Sequence, residues 1–222
     1  MSANSTQQWS LGLCLLALSA APPTSQSQRS LKSGGWTIEW SDEAGRATHP
    51  RGATIVLWQQ PAKEEGCDLS ESGNLLSVVG TIVSFERSSS GYCQGWAHPS
   101  SESSFKAIDL SREEGSRGLT LYDFFEQTEV DREYQRAWSA NPDLREVPED
   151  SCGPTPSVDR FAFHHVVRDK VKLRVSVGQG CTAGGGYTTE MELLLKPRRQ
   201  LLVALRAADK AGSLMNRLAP FR

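Results

Sequence analysis

The clearest order in this chain is the alternation of apolar and polar side chains, which predicts a series of short β-strands. Trp36-Thr-Ile-Glu-Trp40 alternates as a half-buried strand does. Residues 53–59 (ATIVLWQ) are β-branched and aromatic, which suits a second strand. Residues 60–74 hold Pro61, Gly66 and Gly73 among acidic residues and read as a loop. Residues 75–86 read as one long strand, with Val79, Thr81, Val83 and Phe85 on one face. Ser88-Ser-Ser-Gly91 reads as the turn after it, so a strand near residues 92–96 returns antiparallel. Residues 104–110 add another strand before a turn at 112–118.

Past this point the period changes. Val130, Tyr134, Ala137 and Trp138 recur at helical spacing, which predicts a helix over 128–139 capped by Thr128 with Asp131 three residues on. Prolines at 142, 148, 154 and 156 make the following crossover irregular. Residues 160–166 and 171–177 form a predicted hairpin. Val171, Leu173, Val175 and Val177 occupy its buried face, and Lys172, Arg174 and Ser176 its wet face. A last strand at 189–195 leads through Pro197 to a helix over 198–210, whose apolar face is Leu201, Leu202, Leu205 and Ala208 and whose stop is Gly212. Residues 213–222 read as a short tail. The fold expected is a single α+β domain, a mostly antiparallel β-sheet with two helices packed on one face, spanning residues 36–212.

Two features place the chain outside the cytoplasm. Residues 9–21 form an apolar run of a length that suits the core of an export signal (about 7–15 residues) and falls short of a membrane span (about 20). Residues 1–28 are therefore read as a signal peptide and residues 29–35 as a polar linker. Beyond the leader four cysteines remain, an even number that suggests two disulfides in an oxidising compartment. Cys152 and Cys181 flank the predicted 160–177 hairpin at its open end, which favours pairing them and leaves Cys67 with Cys93. None of these cysteines forms a C-x-x-C pair, which argues against zinc. No second apolar segment approaches spanning length, so the mature chain is expected to carry no transmembrane segment and to be periplasmic or secreted.

Net charge is −2, which provides no global attraction to nucleic acid, so no nucleic-acid partner is expected. The charges are placed unevenly. Residues 102–150 carry 13 acidic and 6 basic side chains, and residues 151–222 carry 5 and 12. The two blocks can neutralise one another across the fold, or the acidic block can form a face for a basic partner.

Catalytic constellations are sparse. The four histidines are His49, His98, His164 and His165, without i, i+4 spacing, and adjacent His164 and His165 are expected on opposite strand faces. His98 stands out because a turn presents it. Paired carboxylates at Glu64-Glu65, Glu113-Glu114 and Glu149-Asp150 all lie in polar loops. The glycine-rich run Gly178–Gly186 follows a strand but precedes another strand, not the helix a dinucleotide loop requires, so no cofactor is expected. Trp96, in the same turn as His98, suits a partner pocket or the face of a sugar. Trp96 and His98 are the candidate ligand-binding residues.

One stretch carries a family resemblance. Gly95-Trp96-Ala97-His98-Pro99, then a strand ending Ile108-Asp109-Leu110, then Leu119-Thr-Leu-Tyr-Asp-Phe-Phe125, and finally Leu194-Leu-Lys-Pro197, stand in an order of parts. That order resembles the extracytoplasmic, lysozyme-sensing domain of anti-sigma-V factors, a domain also found beside peptidoglycan deacetylase domains. Trp96 stands where the family's turn has glycine. The resemblance implies a fold, an envelope setting, and a lysozyme-like basic protein or a peptidoglycan fragment as partner. The function expected is therefore a non-enzymatic exported binding protein. The alternatives are an envelope glycan hydrolase or esterase using His98 and carboxylates, and a structural subunit of a surface assembly.

Overall fold

The computed structural model describes residues 28–114, 116, 118–141, 158–179 and 187–219. Gln28 is the first of these, so the expected export segment lies outside the described residues but for its last position. Cys152 and Cys181 lie outside them too, and with them the second expected disulfide.

Among the described residues ten strands form three antiparallel sheets, not the one sheet expected. The first is a meander of β1 (Arg29–Ser33), β2 (Trp36–Trp40), β3 (Ala44–Thr48) and β4 (Thr54–Gln59). Residues 29–33, expected as linker, are thus an edge strand paired with β2 along its whole length. The turn between them is Gly34-Gly35, at φ of 55° and 82°, where a side chain would be strained. β3 was not legible as a strand, because Ala44-Gly-Arg-Ala-Thr48 has only small residues on its inner face.

The second sheet joins β5 (Cys67–Val79), β6 (Ile82–Cys93) and β7 (Ser100–Asp109). Here the expected reversal is displaced. The chain turns at Gly80-Thr81, with Gly80 at φ 63°, so residues 75–86 are the two arms of a hairpin and not one strand. Ser88–Gly91, expected as a turn, continues β6, and residues 67–74, expected as loop, continue β5. The serine run pairs on both sides: Ser88 with Ser72 and Ser103, and Ser90 with Ser70 and Ser101. Hydroxyl contacts support the pairing, Ser70 to Ser90 at 2.7 Å and Ser88 to Ser103 at 3.0 Å.

The third sheet holds β8 (Phe161–Val167), β9 (Lys170–Gln179) and β10 (Tyr187–Leu195) in the order β10-β9-β8. The helices are α1 (Gln127–Ala140), α2 (Arg199–Ala211) and a short α3 (Met215–Leu218), with a 3-10 turn at Leu121–Asp123. The first two stand where helical spacing placed them. Helix α1 is capped at Glu126 and not at Thr128. Gly212, in the left-handed conformation at φ 72°, ends α2 as expected.

Among the described residues there are two large apolar cores and a small third cluster of Leu76, Phe105, Ala162 and Met215. The first lies between the first two sheets and contains Trp36, Ile38, Trp40, Ile55, Leu57 and Trp58 facing Leu75, Val78, Val83 and Phe85. The second combines the inner face of the third sheet (Phe161, Phe163, Leu173, Val175, Leu193, Leu195) with Val130, Tyr134 and Ala137 of α1 and Leu201, Leu205 and Ala208 of α2. The middle sheet serves both, contributing Val79 and Ala107 to the second core.

The Leu119–Phe125 knot plugs this second core. Leu119, Leu121 and Phe125 are buried, and Phe124 meets Phe161 and Phe163 edge-on at 6.1 Å. Asp123 holds the knot's turn by accepting from Thr120 N at 2.7 Å and Thr120 Oγ1 at 3.0 Å. Residues 213–219, expected as a tail, are packed structure. Leu214 and Met215 are buried, Ser213 Oγ donates to Val78 O at 2.8 Å, and Val78 N donates back to Ser213 O at 2.8 Å. Among the described residues no helix is long and apolar enough to cross a membrane.

Candidate functional site around Trp96

Cys67 and Cys93 end β5 and β6 as direct cross-strand partners and form a disulfide, their Cα atoms 4.0 Å apart. This clasp brings the loop before β5 against the loop after β6. Backbone bonds hold both: Cys67 N to Glu64 O at 3.2 Å, Gln94 N to Gly66 O at 2.8 Å, and Trp96 N to Cys93 O at 3.0 Å. Gly66 (φ 76°) and Gly95 (φ 97°) supply left-handed conformations at the two bends. Between the loops is an open hollow lined by Glu64, Glu65, Gly66, Cys67, Leu69, Cys93, Gln94 and Trp96.

The chemistry of the hollow is legible from that lining. It has one indole, 44 % exposed and so free on part of its surface, two carboxylates and one amide. Among the described residues that line it there is no Lys or Arg. Such a site attracts cations through charge and through the indole face, and can accept hydrogen bonds from hydroxyl or ammonium groups.

The two residues singled out in the sequence separate here. Trp96 lines the hollow, while His98 lies beyond it on the exposed turn, its Nδ1 3.3 Å from Pro99 O of its own neighbour. Among the described residues the hydrogen-bond contact of the His98 ring is to Pro99 O. Sequence reasoning noted Glu64-Glu65 only as solvated charge and passed over Gln94. The signal that could have joined them to Trp96 was the Cys67–Cys93 pairing, which sets the two loops side by side.

The other titratable cluster lies on the third sheet. A bulge between Phe163 and His165 corrects the expectation that His164 and His165 face opposite ways. The bulge changes the parity of the strand, so the two rings meet at 4.8 Å between centroids, with Nδ1 to Nδ1 at 2.6 Å. Burial, then the charge of His165 and of Arg174, push the His164 imidazolium pKa down. Beside the pair, Lys172 bridges to Glu192 at 2.8 Å and Arg174 to Glu190 at 3.2 Å, the wet basic face expected of β9 matched by carboxylates of β10. The hydrogen bond from Lys172 holds Glu192 below the usual carboxylate range against its partial burial.

His49 is the remaining histidine. Its ring packs on Trp36 at 5.0 Å and its Nδ1 accepts from Arg51 N at 3.2 Å. Among the described residues no group of three or more His, Cys, Asp or Glu side chains is arranged to hold a metal ion. Comparison with protein-family models, with curated proteins and with solved structures found no match to this chain.

Proposed function

We propose that this chain is an exported, non-enzymatic binding protein of the bacterial cell envelope, and that a basic, lysozyme-like protein docks at the Trp96 hollow. The observation that carries the proposal is the composition of the hollow: an exposed indole beside Glu64, Glu65 and Gln94, with no basic side chain among the described residues of the lining. A Lys or Arg of a partner, entering over the indole face, would meet two carboxylates at once. The apolar run at residues 9–21 and the resemblance of residues 92–125 to a lysozyme-sensing domain point the same way. So does the disulfide, because such bonds persist mainly in oxidising compartments.

A peptidoglycan-derived glycan is the second reading. It is favoured by the same exposed indole, because an aromatic face flanked by carboxylate and amide acceptors also suits the apolar face and hydroxyls of a sugar.

The test is retention of lysozyme on the immobilised protein at low and at high salt. The proposal expects retention at low salt that weakens as salt rises, because exposed charges are screened. Trp96→Ala and the double change Glu64→Gln with Glu65→Gln should each reduce it at least tenfold. Absence of retention at low salt, or retention equal in Trp96→Ala, would remove the proposal. Retention of soluble peptidoglycan fragments instead, indifferent to salt and lost in Trp96→Ala, would transfer the hollow to the glycan reading.

A further inference from the structure

We infer that His164 and His165 form a two-imidazole site for a divalent transition-metal ion with square coordination, copper(II) foremost. The inference is independent of the Trp96 hollow. It begins with the bulge in β8. Adjacent strand residues ordinarily point to opposite faces, so two neighbouring histidines ordinarily cannot share a ligand. Here the register slips between Phe163 and His165, and both Nδ1 atoms converge to 2.6 Å.

The distance selects the kind of ion. Imidazole nitrogens bind such ions at about 2.0–2.1 Å, so two of them at a right angle stand roughly 2.9 Å apart, and two at a tetrahedral angle roughly 3.3 Å apart. The observed 2.6 Å is nearer the first, and a small opening of the pair reaches it. A square arrangement belongs to copper(II) and nickel(II), and copper(II) stands highest in the general affinity order. Among the described residues no third His, Cys, Asp or Glu completes a set with the pair, so water would fill the remaining positions.

The surroundings permit a cation. Lys172 and Arg174 of β9 lie beside the pair, but each is bridged to a carboxylate of β10, Glu192 and Glu190 respectively. The face therefore carries no uncompensated charge from these four groups. Strand β8 is the edge of its sheet and both histidines are half-exposed, so an ion has access from solvent.

Binding requires one rearrangement. Without metal, the 2.6 Å contact is a hydrogen bond when one Nδ1 carries a proton and the other presents its lone pair. On binding, the ring that carries this proton moves it to Nε2, and both Nδ1 lone pairs go to the ion. The other described histidines are single: His49 Nδ1 is occupied by Arg51 N, and His98 stands in another sheet's turn.

The experiment is titration of the whole chain with copper(II) against a competing chelator, with nickel(II) in parallel to separate imidazole ligation from thiol chemistry. Expected is about one ion per chain at micromolar affinity for both metals. His164→Asn and His165→Asn should each weaken binding at least tenfold, and His98→Asn should leave it unchanged. In the unaltered chain, substoichiometric copper should broaden the ring signals of His164 and His165 before those of His49 and His98. This arm does not depend on any variant folding. Equal broadening of all four, binding unaltered in both asparagine variants, or zinc bound more tightly than copper would overturn the inference.

Discussion

Gly73 of β5 lies against the indole of Trp58 in β4: a Cβ placed on Gly73 would collide with the ring itself, and one on Gly45 of β3 would do the same. Trp58 cannot yield. It is 1 % exposed, its Nε1 donates to Ser41 O at 3.1 Å, and its ring packs on Phe85 at 5.7 Å between centroids. The two glycines are the space that lets the first and second sheets close on a tryptophan.

That contact makes the first prediction. Gly73→Ala should destabilise the fold by about 1–3 kcal/mol, the ordinary cost of overpacking a core. The measurement is the urea midpoint at unchanged slope. Combining Gly73→Ala with Trp58→Phe should cost less than the sum of the single changes, because the smaller ring relieves the collision. Strict additivity would show that the two residues do not press on one another.

The Cys67–Cys93 clasp should stabilise the fold and shape the hollow together. The cysteines are 26 residues apart in the chain, a loop whose closure corresponds to about 3.5 kcal/mol in the chain-entropy treatment. The double change Cys67→Ser with Cys93→Ser should lower stability by about 2–4 kcal/mol. It should also weaken any ligand of the hollow, since Cys67 and Cys93 line it. Stability lost with ligand affinity intact would separate the clasp from the site.

Trp96→Ala should do the reverse. The side chain is 44 % exposed, so its loss should change stability by no more than about 0.5–1 kcal/mol while removing retention of the ligand. A large fall in the thermal midpoint would mean that Trp96 is a packing residue.

Acid stability has an identifiable contributor in Asp109. Burial pushes its carboxyl pKa up, but hydrogen bonds from the Ser111 side chain and backbone and from Thr81, with the charge of Arg112, outweigh this and hold it below the usual range. A carboxyl whose folded pKa lies below its unfolded one, about 3.9, contributes stability that is complete above that value. The contribution is lost as pH falls through the folded pKa. Asp109→Asn should therefore flatten the decline of stability below about pH 4, read as denaturant midpoints at successive pH values. An unchanged decline would assign acid sensitivity elsewhere, with Asp123 the next carboxyl to test because it too is held low.

The segment after α2 should behave as core. Leu214 is wholly buried, and Leu214→Ala should cost about 2–5 kcal/mol. Ser213→Ala should cost about 1 kcal/mol through the hydrogen bonds to Val78 O and Ala208 O. Protease nicking after Gly212 without loss of stability would return the segment to the status of a tail.

Read by itself, the chain of residues determined the local elements whose pattern is strong. The strands expected at 36–40 and 160–166 (the latter observed one residue on), both helices, the buried knot of Leu119, Leu121 and Phe125 and the stop at Gly212 all follow from side-chain period and glycine, which act within a few residues. Tertiary structure decided what depends on distant partners. Residues 75–93 are rich in strand-forming residues on both sides of Gly80, and both Gly80 and Ser88–Gly91 are turn-forming, so pattern alone cannot say at which of them the chain reverses. The pairing of Cys67 with Cys93 and of the serines across three strands settles it at Gly80. A single extra residue in β8 inverted the parity on which the His164 and His165 assignment rested, and a bulge has no signature in alternation. The Trp96 hollow has the same origin: Glu64 and Trp96 are neighbours only because two strands of a long hairpin end level with one another, a matter of register that no local preference encodes.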